Sequence, residues 1–199
     1  MAMWGAALAA DPWVRRTTEP GSMIDAFLEH ATGLEARALE ILRRPETYPG
    51  LPALQRSDVV LRLTRFEGLG RYLVWVVAAR ANVYLVRRVI WDRPTDHRPG
   101  AIAPTTFGSD ADAPAELLER HLAALRSIAL PPFIPCDTVG IDGVNFGVEY
   151  GNYMRSAGLY WGSSVPEDWR LLGDWFSGCV ETLEAVLPAH VGEHGKHGA

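Results

Sequence analysis

Three consecutive stretches of β character constrain this chain more than any other feature. Val59, Leu61 and Leu63 alternate with Val60, Arg62 and Thr64, and the runs Tyr72–Ala78 and Val83–Trp91 that follow are rich in valine and aromatic residues. Glu67-Gly68-Leu69-Gly70 supplies a turn between the first two runs and residues 79–82 supply one between the second and third, so the reading is three antiparallel strands. The middle run is apolar on both faces, which places it inside the sheet. Arg87 and Arg88 point to opposite faces of the third, so at least one of them reaches solvent or an acidic partner.

Helical periodicity brackets this block. Ile24, Phe27, Leu28, Ala31, Ala38 and Leu42 predict a helix capped by Ser22 and running to about Arg44, with Gly33 as its weak point and Pro45 as its end. Pro45, Pro49, Gly50 and Pro52 mark a connector. Residues 92–112 hold few large apolar groups and read as a long surface loop. Asp112 is the expected cap of a helix with Pro114 near its start and Leu117, Leu118, His121, Leu122, Leu125 and Ile128 on one stripe. Two more strands are expected at 144–150 and 154–161, the first turning Phe146, Val148 and Tyr150 one way and Asn145, Gly147 and Glu149 the other. Ser164-Val165-Pro166-Glu167 has the capping-box pattern, and Trp169, Leu172, Phe176, Cys179, Leu183 and Leu187 then recur on one helical face.

The fold class that follows is α+β, with a mostly antiparallel five-stranded sheet and helices packed on one face. The element order is strands, helix, strands, helix after an N-terminal helix. Residues 22–188 are expected to form the domain, 1–21 an accessory tail, and 189–199 a flexible tail containing histidine and glycine.

A hydrophobic fraction of 48% with 22% charged residues suits a soluble globular chain of 199 residues. The net charge of −5 hides a division: residues 1–100 carry fourteen arginines against eleven acidic residues, whereas 101–199 carry five basic groups against thirteen acidic ones. An acidic second half repels phosphate backbones and attracts basic partners, so nucleic-acid binding is disfavoured. The longest lipid-like run, Tyr72–Ala79, falls far short of the roughly 20 residues needed to span a bilayer. No membrane partner and a cytoplasmic location are expected.

The chemistry-bearing residues each have an ordinary role available. Asp142-Gly143 is a turn pair, and Cys136 has no histidine placed by the sequence to activate it. His190, His194 and His197 lie among glycines that argue against a rigid ligand set. No catalytic residue, metal or cofactor is assigned. Trp91 and Trp161 stand apart from the other tryptophans because each ends a strand beside polar turn residues. With Glu149, Arg155 and Tyr160 they form the candidate partner-binding set.

The run Asp142-Gly143-Val144-Asn145-Phe146-Gly147-Val148-Glu149-Tyr150, followed by Tyr160-Trp161-Gly162 and Val165-Pro166-Glu167-Asp168-Trp169, resembles the end of a class of small bacterial α+β proteins. In these, a strand after Asp-Gly and a tryptophan-bearing strand lead through a proline into a docking helix. Some are similar to immunity proteins of polymorphic-toxin systems, which bind and block a cognate toxin. The likeness covers residues 83–187 in architecture and is specific over 142–172, and it carries over no catalytic or binding residue. Together with the missing catalytic constellation, the acidic second half and the candidate aromatic patch, the expectation is a non-enzymatic, immunity-like protein-binding module that neutralises or sequesters a basic protein, such as a toxin domain. The alternative expectation is a small-molecule enzyme with a cleft between the sheet and loop 92–112, using Asp142, Glu149 or His97 as acid or base.

Overall fold

The computed structural model describes residues 23–28, 31, 33–97, 101–131, 143–152 and 155–189. The expected tails lie outside these residues apart from Ala189, as do Ser22, His30, Cys136, Asp142 and the C-terminal histidines.

The three β runs are strands β1 (Val59–Glu67), β2 (Tyr72–Arg80) and β3 (Val83–Trp91), each antiparallel to the next. The apolar β2 sits inside the sheet, as its two-faced pattern requires. Strands β5 (Val144–Asn152) and β6 (Arg155–Gly162) form the later hairpin, and β5 pairs with β1.

A sixth strand corrects the expectation of five. Residues expected to belong to the loop 92–112 instead form a short helix, α3 (Arg93–Asp96), and an edge strand, β4 (Thr106–Pro114), paired with β3 along its whole length. The full order is β4-β3-β2-β1-β5-β6. Strand β4 hides from sequence reasoning because Gly108, Asp110, Asp112 and Pro114 all disfavour strands, and a sheet edge tolerates them.

Helices cover both faces of the sheet, not one. On the first face pack α4 (Ala115–Ser127) and α5 (Arg170–Val186), enclosing Leu61, Leu63, Trp75, Val77, Val86, Val148 and Trp161 against Leu118, Leu122, Leu172, Phe176, Cys179 and Leu183. On the second pack α1 (Met23–Leu28) and α2 (Gly33–Arg43), which set Ile24, Ala38, Leu39 and Leu42 on Phe66, Val74, Val76, Leu85 and Val89. A sheet whose central strands are apolar on both sides needs both layers to remove them from water.

Three helix starts also differ from expectation. The first helix is broken before Gly33, whose φ of +57° lies in the left-handed region that glycine occupies without penalty. Asp112 caps nothing: it lies in β4 opposite Leu85, and Pro114 occupies the N-cap position of α4 without a side-chain bond. The Ser164 capping box is not made either, because the chain enters α5 through a 3-10 turn at Glu167–Trp169.

Candidate functional site

The β5–β6 hairpin sends alternate residues to the two faces, as the sequence predicts, and this divides the candidate residues. Phe146, Val148 and Trp161 join the α4–α5 core, where Trp161 stacks on Phe146 at 5.5 Å and meets Phe176 and Trp169 edge-on. Trp161 is 7% exposed. Trp91 is 2% exposed on the opposite face and donates its indole N–H to Asp96 at 2.6 Å. Asp96 also accepts from the Thr105 amide; burial works against its charge, but these bonds outweigh it and hold its pKa below the ordinary carboxylate value. Both rings are therefore structural anchors. Arg155 opens β6 opposite Asn152.

Glu149 and Tyr160 are brought together. They belong to adjacent strands on the α2 side, and the Tyr160 hydroxyl donates to Glu149 at 2.8 Å. The ring lies across Gly147, where a Cβ would stand 2.7 Å from Tyr160 and 2.3 Å from Thr64 Oγ1, so this position needs glycine's bare backbone. Behind Glu149 stands Arg62, 3.8 Å away, which also donates to the buried Glu46. Burial is the largest single influence on Arg62 and opposes its charge, yet Glu149 and Glu46 together raise its pKa above the ordinary guanidinium value. The result is a polar chain from Glu46 through Arg62 and Glu149 to Tyr160, ending at a half-buried phenol.

Among the described residues, the acid–base candidates His97 and Glu149 do not converge. His97 follows α3 beyond β3, and Glu149 lies on β5, with β2 and β1 between those strands. Since residues 106–114 pair into the sheet edge, they form no lid over it. Two open depressions, one lined by Asn82, Val83 and residues 112–116 and one by residues between Glu40 and Pro49, include neither His97 nor Glu149. No group of three or more histidine, cysteine or acidic side chains among the described residues is placed to hold a metal. Burial pushes the Cys179 thiol up to about 12, which removes it as a nucleophile near neutral pH. No described helix is long and apolar enough to cross a membrane.

Sequence reasoning missed the outer face of α5. Its inner face carries Leu172, Trp175, Phe176, Cys179 and Leu183 into the core, which turns Leu171, Asp174 and Glu181 outward at helical spacing. Leu171 is 66% exposed. Glu167 and Asp168 stand exposed on the preceding turn, and Arg170, the one basic residue from there to Val186, is paired with Glu167 at 3.1 Å. The signal was present: Leu171 falls one position off the apolar stripe, on a flank otherwise acidic. The chain matches no protein-family model, no curated protein and no solved structure.

Proposed function

We propose that this chain is a non-enzymatic protein-binding module whose partner is basic, and that the outer face of α5 makes the contact. The observation that carries the reading is Leu171, a large apolar side chain 66% exposed on a turn and helix that also expose Glu167, Asp168, Asp174 and Glu181. An apolar anchor beside acidic side chains suits a partner that offers a hydrophobic socket ringed by lysine or arginine. The acidic groups speed encounter, and burial of the anchor slows release. The resemblance of residues 142–172 to small bacterial proteins, some of them similar to immunity proteins, supports a toxin domain as the class of that partner.

The test is co-purification from the source organism with the wild-type chain and with a Leu171→Asp/Asp174→Lys double variant, both checked for folding by circular dichroism. The expected result is a stoichiometric basic protein, bound more weakly as salt is raised and lost with the variant. Equal retention by the variant, or no stoichiometric protein at all, defeats the reading.

A further inference from the structure

Among the described tryptophans, three use the indole N–H: Trp75 donates to Glu184 at 2.6 Å, Trp91 to Asp96 at 2.6 Å, and Trp175 to the His121 carbonyl at 2.8 Å. Trp161 and Trp169 do not. Both Nε1 atoms are buried with no acceptor among the described residues, and the two rings are neighbours, edge-on at 6.3 Å. Trp161 as a whole is 7% exposed. A third such donor belongs to the same cross-strand row. Arg65 lies opposite Phe146 and Phe146 opposite Trp161, and the Arg65 Nε is buried without a partner while its Nη2 pairs with Glu67 at 2.9 Å. Buried polar groups are nearly always hydrogen-bonded, because one without a partner forfeits its hydration for nothing. Two such donors on touching tryptophans point to a shared acceptor.

The surroundings define the chemistry of that acceptor. Phe146 stacks on Trp161 and Phe176 meets both edge-on, so the walls are aromatic and suit a flat apolar molecule. The charge of Arg65 is met by Glu67, and Glu167 and Asp168 stand exposed on the turn that carries Trp169, so an anion is repelled at the mouth. The four rings pack at 5.4 to 6.3 Å between centroids, which leaves no room for a guest while Trp169 is in place. Trp169 is also the ring whose support can yield. It ends a 3-10 turn that has no side-chain cap, in a segment that begins at Ser163, whose φ of +29° is a conformation that serine holds at a cost.

We propose that Trp161 and Trp169 form a binding site for a neutral aromatic molecule bearing a carbonyl oxygen. The guest enters as residues 163–169 swing Trp169 outward, and its one oxygen, with two lone pairs, accepts from both indoles when the turn closes over it. Trp169 packs against the α4–α5 core whereas Leu171 is exposed, so this site stands or falls independently of the partner surface.

Indole N–H resonances of the full chain, isotope-labelled at tryptophan and assigned with single Trp→Phe variants, test this during titration with acetophenone, ethylbenzene and benzoate. Acetophenone is expected to shift the Trp161 and Trp169 signals together and saturably, while the Trp75 signal stays in place. Ethylbenzene, which keeps the ring and lacks the oxygen, should bind about fivefold more weakly, and benzoate should be disfavoured by its charge. Trp169→Phe keeps a ring over the site and removes one donor, so it should fold as the wild type does and bind acetophenone about three- to tenfold more weakly. Absence of a saturable shift, equal binding of ethylbenzene, preference for benzoate, or a Trp169→Phe chain that binds acetophenone as tightly as the wild type overturns the site. A buried water bonded to both indoles would give the first of these results.

Discussion

Arg87 and Arg88 are neighbours in β3, each is buried, and each fastens a different layer to the sheet. Arg87, with no exposed surface, makes five hydrogen bonds: two to Asp110 at 2.7 Å, and others to the carbonyls of Pro45, Glu46 and Pro52. Arg88 reaches the opposite face, where it donates to Glu184 of α5 and to the Pro188 carbonyl, while its Nε is left without a partner. The difference lies in what is being held. Residues 45–52 are a 3-10 turn, Pro45–Thr47, followed by irregular backbone; the Tyr48 and Leu54 amides bond the Pro45 and Glu46 carbonyls, but three prolines leave the segment short of further donors. A guanidinium fork supplies those donors together. Helix α5 satisfies most of its own backbone and needs only a clamp at its end, which Trp75 shares by donating to Glu184 at 2.6 Å.

The largest expected effect sharpens this contrast. Arg87→Met leaves the largely buried Asp110 carboxylate without its guanidinium, removes a donor from the carbonyls of Pro45, Glu46 and Pro52, and should cost about 3–5 kcal/mol in denaturant unfolding. Arg88→Met should cost less, about 1–3 kcal/mol, because the Glu184 side chain is 36% exposed, can turn to water, and keeps Trp75. Equal losses would erase the distinction between the two faces. Gly147→Ala forces a Cβ against Thr64 and Tyr160, and thermal melts should place its loss near the lower end of about 1–3 kcal/mol.

The smallest effect is a pH dependence confined to the α4–α5 face. His121 Nε2 lies 2.9 Å from Thr182 Oγ1, whose own proton goes to the Gly178 carbonyl, so the ring donates from Nε2. Burial first, and Arg120 second, lower the His121 pKa below its ordinary 6.5. The folded chain then binds fewer protons here than the unfolded chain, and the stability this confers is full above the ordinary value and declines as pH falls toward the folded-state one. Lowering the pH from about 7.5 to about 5 should depress the melting temperature slightly more in the wild type than in His121→Gln. An identical slope in both would remove His121 from the account.

Much of the fold was legible along the chain, and the failures have physical causes. Strands β1, β2, β3, β5 and β6 were readable because alternation or continuous apolarity reports burial directly. Strand β4 was not, since an edge strand is held mainly by backbone bonds to β3, and its Asp110 is explained only by Arg87 across the ladder. The Ser164 pattern misled because a capping box marks a start that the chain can use, and here a 3-10 turn with Pro166 at its N-cap stands between Ser164 and α5. For the candidate site, the facing of Glu149 and the inward stripe of α5 were evident. The burial of Trp91 and Trp161 was not, since a strand end beside turn residues looks alike whether a helix covers it or water does.

Sequence alone determined the antiparallel β1–β3 meander, the apolar interior position of β2, the alternation of the later hairpin and the inward face of α5, because each is set by residues within a few positions of one another. Only the tertiary structure decided that helices cover both faces, that residues 106–114 complete one edge of the sheet, and that Glu46, Arg62, Glu149 and Tyr160 form one chain. Those outcomes depend on partners tens of residues apart, whose meeting is settled by which burial leaves the fewest polar groups unsatisfied.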